Sequence, residues 1–123
     1  MKWSLAVVAI VALSLGVSGP RADEAAKPDP EKVGKGQQVY AAQHCSMCHS
    51  IAGKGNPKNA LDDVGSKMTA EELKKYITNP KSVKADTKMK AYPSLSADDL
   101  DALVTYLLTL PRRDRRRTIA PGR

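Results

Sequence analysis

Phenylalanine is missing from the whole 123-residue chain, and its one tryptophan is Trp3. The remaining aromatic surface is Tyr40, Tyr76, Tyr92 and Tyr106. Aromatic side chains carry much of a small domain's burial, so a chain without them needs another large apolar body to close its core. Cysteine is as scarce. Cys45 and Cys48 are the full complement, close together, which excludes a disulfide framework. Long apolar runs are lacking too: the run from Leu5 to Val17 is broken by Ser14 and Gly16 and falls short of the roughly 20 residues that span a bilayer. Neither an internal repeat nor a strand-like alternation is present, which leaves an all-α domain.

That apolar run follows Lys2 and leads into the small residues Val17, Ser18 and Gly19, the form of an export signal over residues 1–19, with cleavage anywhere from Gly19 to Ala26. An uncleaved membrane anchor is the alternative. Residues 20–32, with Pro20, Pro28 and Pro30, read as a flexible lead-in.

The two cysteines stand in Cys45-Ser46-Met47-Cys48-His49, the spacing that attachment of a c-type haem requires. Each thiol can add to one vinyl group of a porphyrin, and two intervening residues bring both sulfurs to one ring edge. His49 can then turn under the iron and ligate it through a neutral ring nitrogen. A thioredoxin-like thiol pair would need a preceding strand, and a structural zinc site would need a second pair of ligands; neither is present in the sequence. His44, beside the motif, reads as a solvated side chain at a helix end. A buried porphyrin is also the large apolar body that the core lacks, so the chain should fold poorly without it.

Asp29 can cap a helix opened by Pro30 and running to about His44. Gly34 and Gly36 within it point either to close approach of another backbone or to a frayed start. Residues 50–67, with Gly53, Gly55, Pro57 and Gly65, read as a loop over one haem edge. Thr69 and Glu72 form a capping box, and the helix they open carries Leu73, Tyr76 and Ile77 until Pro80 stops it at Asn79. Residues 80–95 read as irregular. Ser96 then caps a last helix with Leu100, Leu103, Val104 and Leu107 at i, i+3, i+4, i+7, ended by Pro111.

A second axial ligand must come from Met47, Met68, Met89 or His44. Met47 and His44 lie too close to the attachment points to cross the ring. Met68 and Met89 remain; Met68 directly precedes a helix cap and suits a core position, whereas Met89 lies in a stretch able to drape over the free face.

Tyr76-Ile77-Thr78-Asn79-Pro80-Lys81 followed by Thr87-Lys88-Met89, together with the Cys-x-x-Cys-His run, resembles the small monohaem class I cytochromes c. The resemblance extends over about residues 33–110. It implies a class I cytochrome c fold, about three main helices around one covalently attached haem c, with Cys45 and Cys48 as attachment points and His49 and Met89 as the axial pair. It further implies that Tyr76 packs near the methionine sulfur, that Thr87 lies near a haem propionate, and that Gly36, Tyr40, Leu103 and Tyr106 form the crossing of the first and last helices. Asn59-Ala60 stand where the family has Gly-Pro before the Leu matched by Leu61, so the carbonyl accepting the axial histidine's proton is expected from Ala60. One more residue than usual separates Gly36 from Cys45.

With two axial ligands from the chain, the expected function is that of a periplasmic or otherwise exported one-electron carrier, a monomer and not an enzyme. The rivals are a haem subunit of a larger oxidoreductase, or a peroxide- or gas-reactive haem protein in which the methionine dissociates. Residues 33–110 carry ten Lys against eight Asp and Glu, whereas 111–123 hold six Arg against Asp114. The excess of +7 is thus concentrated in an Arg-rich tail, expected to be disordered, which could steer docking to acidic redox partners or, more weakly, to an anionic membrane surface. Lys81, Lys84, Lys88 and Lys90 flank Met89 and suit acidic docking surfaces. Nucleic acid does not fit an exported chain.

Overall fold

The computed structural model describes residues 27–112; the proposed export signal, the first part of the lead-in and all but the first two residues of the Arg-rich tail lie outside them. Four helices follow in order: α1 (Pro30–Ala42), α2 (Ala70–Thr78), α3 (Pro80–Val83) and α4 (Ala97–Leu108). Among the described residues none is long and apolar enough to cross a membrane. The described residues are mostly helical, as the all-α reading expects, with one minimal antiparallel hairpin of β1 (Ser50–Ile51) and β2 (Lys54–Gly55).

Helix starts follow local chemistry. The Asp29 side chain accepts from the Glu31 amide ahead of Pro30. The lead-in boundary therefore moves, since residues 30–32 are helical. At α2 both halves of the capping box form: the Thr69 amide donates to Glu72 Oε2 at 2.8 Å and the Glu72 amide to Thr69 Oγ1 at 3.3 Å. Ser96 Oγ accepts from the Asp99 amide at 3.1 Å to open α4.

Two further expectations change. α1 ends at Ala42, not His44, because His44 adopts a left-handed conformation (φ 55°) that no helix continues. And the stretch after Asn79 is not wholly irregular: Pro80, whose fixed φ suits a first helical position, opens the single turn of α3.

The core lies where α4 crosses α1 and meets α2. Ala102, Leu103, Val104 and Leu107 of α4 are all buried, as are Val39, Leu73 and Ile77. At the crossing, a Cβ on Gly36 would stand 2.2 Å from the Ala102 carbonyl oxygen and 2.6 Å from the Tyr106 Cβ, so only glycine lets the helices approach this closely. Nothing lies within 4 Å of the same point on Gly34. Close approach is thus the role of Gly36 alone. Tyr40 and Tyr106 pack edge to face beside it, with centroids 6.1 Å apart, so the four crossing residues of the expected set include a meeting aromatic pair. Around the rim, Asp101 of α4 pairs with Lys32 of α1 and with Lys74 of α2 at 3.1 Å. These cations hold its carboxyl below the usual carboxylate range. Because the pairs are exposed, they orient the helices more than they stabilise them.

The Tyr40 hydroxyl is buried without a protein partner, and burial pushes its pKa up to about 12. Tyr40→Phe removes that unmatched hydroxyl and keeps the ring. Thermal unfolding should show stability unchanged or raised by up to about 1 kcal/mol; a loss larger than that would mean the hydroxyl has an acceptor.

Candidate haem site

The helices leave a cleft in front of the core, lined on its floor by apolar side chains. An inner cavity of about 270 Å³ is walled mainly by Leu61, Val64, Leu73, Ile77, Leu103 and Leu107. It continues into a more polar mouth of about 390 Å³. Five residues line both: Cys45, His49, Tyr76, Met89 and Tyr92. An apolar slot with a polar rim suits a flat hydrophobic body that keeps one edge near water.

The attachment motif leaves α1 through the left-handed His44 and forms a 3-10 turn over Cys45–Met47. Cys45 is half-buried, and burial pushes its thiol up; Cys48 is exposed. Met47, at 73% exposure, points away from the cleft and leaves the ligand set. His44 is exposed at the mouth.

His49 is held through its ring. Nδ1 donates to the main-chain carbonyl of Asn59 at 3.1 Å, which leaves Nε2 as the nitrogen with a free lone pair. The expected acceptor, Ala60, is corrected by one residue. Ser50 forms a parallel bridge with Ala60, its amide donating to the Asn59 carbonyl at 3.2 Å while its carbonyl accepts from Leu61 at 2.8 Å. This register presents the carbonyl of Asn59, not of Ala60, to the imidazole. The loop keeps its shape through left-handed turns at Ala52 (φ 52°) and Asp63 (φ 61°), and the Ala52 amide donates to Asp62 Oδ1 at 2.9 Å.

At the mouth of the same cleft, Thr87 organises the methionine segment. Its hydroxyl oxygen accepts from the Met89 amide at 3.2 Å and from the Tyr76 hydroxyl at 3.3 Å, so Tyr76 on α2 and Thr87 brace the backbone carrying Met89. Met68 lines only the inner cavity, with its amide on the Val64 carbonyl. Met89 lines both the cavity and the mouth that His49 lines.

Sequence reasoning missed Tyr92 as a site residue. Its hydroxyl donates to the Gln43 carbonyl at 3.4 Å, forty-nine residues away, and its amide to the Ile77 carbonyl at 2.9 Å, while Lys90 Nζ lies 5.6 Å from the ring centroid. It thereby ties the methionine segment to the end of α1 beside the attachment motif. Its place three residues after Met89 was visible, but nothing local announces a partner so distant in sequence.

Residues 33–111 match the cytochrome c family. The chain belongs to that family. Its cofactor is accordingly covalently bound haem c, and the residues present fit the group: one thiol, an imidazole and a thioether line one apolar slot, with the second thiol at its mouth. Among the described residues no three His, Cys, Asp or Glu side chains gather as a metal cluster. The chain is also 30% identical over 96 residues to cytochrome c oxidase subunit 2 of Alkalihalophilus pseudofirmus; the match covers 71% of this chain and 28% of that protein. Membership of this family supports haem-based electron transfer.

Proposed function

We propose that this cytochrome c domain belongs to an exported monomer that shuttles single electrons between redox proteins, with Cys45 and Cys48 attaching the haem and His49 and Met89 holding the iron. The observation that carries this is the cleft in which all of these residues but the exposed Cys48 face one apolar cavity, with Cys48 at its mouth. Haem c, when bound, supplies a ferric/ferrous couple. The chain does the rest. The Asn59 carbonyl keeps His49 in one tautomer and raises its donor strength, while Thr87 and Tyr76 hold the thioether sulfur in reach. Two axial ligands from the protein leave no coordination site for a substrate, which favours a carrier over an enzyme.

Lys84, Lys88 and Lys90 line the mouth and would meet an acidic partner there, so the rate of electron exchange should fall with ionic strength. The leader over residues 1–19 supports export to the compartment where haem attachment occurs. The likeness to part of an oxidase subunit favours one second reading, a haem subunit that docks on or belongs to a larger oxidoreductase.

A haem stain of the exported protein on a denaturing gel, beside a Cys45→Ala, Cys48→Ala double variant, tests the core of this reading. Colour should remain in the parent and vanish in the variant. A colourless parent, from cells that mature other c-type cytochromes, would overturn it. Elution of the native protein at the mass of a large complex would favour the subunit reading over the carrier.

A further inference from the structure

Within the attachment motif only the Cys45 carbonyl is taken by the motif's own amides, and the next four would be left to water were it not for two asparagines downstream. The Asn56 amide donates to the carbonyls of Ser46 at 3.1 Å and His49 at 3.0 Å, and Asn56 Nδ2 donates to the Met47 carbonyl at 3.2 Å. Asn59 Nδ2 donates to the Cys48 carbonyl at 3.0 Å. Four successive carbonyls, residues 46 to 49, are therefore held by Asn56 and Asn59.

The geometry around them is built for this. Gly55 sits at φ +103°, and a Cβ there would be 2.2 Å from the His49 carbonyl oxygen, so glycine is what lets the Asn56 amide reach that carbonyl. Asn56 Oδ1 accepts from the Lys58 amide at 3.1 Å, which fixes the side chain in its donating pose. Asn59 grips on both ends: its side chain takes residue 48, and its main-chain carbonyl takes the ring of His49 and the amide of Ser50.

We propose that Asn59, supported by Asn56, is a positioning residue for the His49 imidazole: its side-chain amide clamps the Cys48 carbonyl so that its own carbonyl stays on Nδ1 of the next residue. The clamp substitutes for covalent stiffness, since residues 56–60 hold only Pro57 and the hydrogen bonds close the loop onto the motif. This rests on His49 being the axial ligand. A firmer Nδ1–H···O bond makes the imidazole a stronger donor, which favours the ferric state; loosening the clamp favours the ferrous state.

Asn59→Leu retains bulk without a donor, and Asn59→Ala removes both; each leaves the main-chain carbonyl in place. In the haem-loaded protein, exchange of the His49 Nδ1 proton with solvent, followed by NMR in the ferrous form, should quicken about fivefold, the factor that one net hydrogen bond contributes to an equilibrium. At a poise where the parent is half reduced, the ferrous-to-ferric ratio should rise. Asn56→Ala, which frees the Met47 carbonyl, should move both readouts in the same direction by less, and Lys58→Ala, at an exposed neighbour, should move neither. Parental exchange and parental ratio in the Asn59 variants would overturn the proposal. Should those variants fail to load haem, parental values in Asn56→Ala would overturn it instead. A parent without covalent haem would sink the functional reading, a result distinguishable from both.

Discussion

Met89→Ala should leave the haem attached and strip the ferric protein of the absorption that marks iron–thioether ligation. The proposed attachment points are Cys45 and Cys48, which the substitution does not touch. Thr87 would still hold the backbone amide at position 89 and Tyr76 would still hold Thr87, so the segment has no reason to collapse. What disappears is the soft sulfur proposed as the second axial ligand. Cyanide, to which the parent should be inert at low concentration, should then bind. The midpoint potential should fall by something on the order of 0.1 V, a modest part of the roughly 0.8 V that axial ligands span, because the thioether favours the ferrous state. Met68→Ala is the control. Met68 lines the inner cavity and packs against the core, so its loss should lower stability and leave the ligation spectrum as it was. The reverse pattern, an unchanged spectrum in Met89→Ala and a changed one in Met68→Ala, would reassign the axial ligand.

Two glycines one turn fraction apart on α1 should respond to alanine with opposite signs. At Gly34 a methyl group enters open space, so Gly34→Ala should gain up to about 1 kcal/mol from helix propensity alone. At Gly36 the same methyl meets the Ala102 carbonyl at 2.2 Å and the Tyr106 Cβ at 2.6 Å. The Ala102 carbonyl belongs to the backbone of α4 and cannot rotate aside, so the helices must separate. The cost of such overpacking, about 1–3 kcal/mol, outweighs the propensity gain. Each kcal/mol corresponds to roughly 4–8 °C in the melting temperature of a domain this size, so the two variants should melt on opposite sides of the parent. Because Tyr40 lies beside the crossing and also lines the inner cavity, Gly36→Ala should disturb haem-site packing as well. Equal melting temperatures would mean that the crossing is looser than its geometry indicates.

What could be read directly from the residues was what acts over short range. The Cys45–His49 run sets two sulfurs and an imidazole by spacing alone, and the caps at Asp29, Thr69 and Ser96 are satisfied within their own first turns. The resemblance to class I cytochromes c added the methionine, and Met89, its backbone amide held by Thr87 and through it by Tyr76, lines the same cleft as Cys45 and His49. Scarcity was informative too, since a core with no phenylalanine left an apolar cavity between α2, α4 and the loops.

Other features were settled only by how distant segments meet. Which of two glycines marks the helix crossing depends on where α4 lies, and nothing near Gly34 or Gly36 encodes that. The acceptor for His49 shifted from Ala60 to Asn59 because a bridge to Ser50 sets the register of the loop, and register is a property of pairing rather than of composition. Tyr92 became part of the site through a carbonyl forty-nine residues away, and Asn56 and Asn59 through carbonyls nine to eleven residues behind them. The sequence by itself determined the attachment chemistry, the helix starts and the class of cofactor, because each rests on spacing or on bonds that close within one turn. Tertiary structure alone decided how His49 is held and which side chains hold the motif around it, because those bonds exist only once loop closure has brought the partners together.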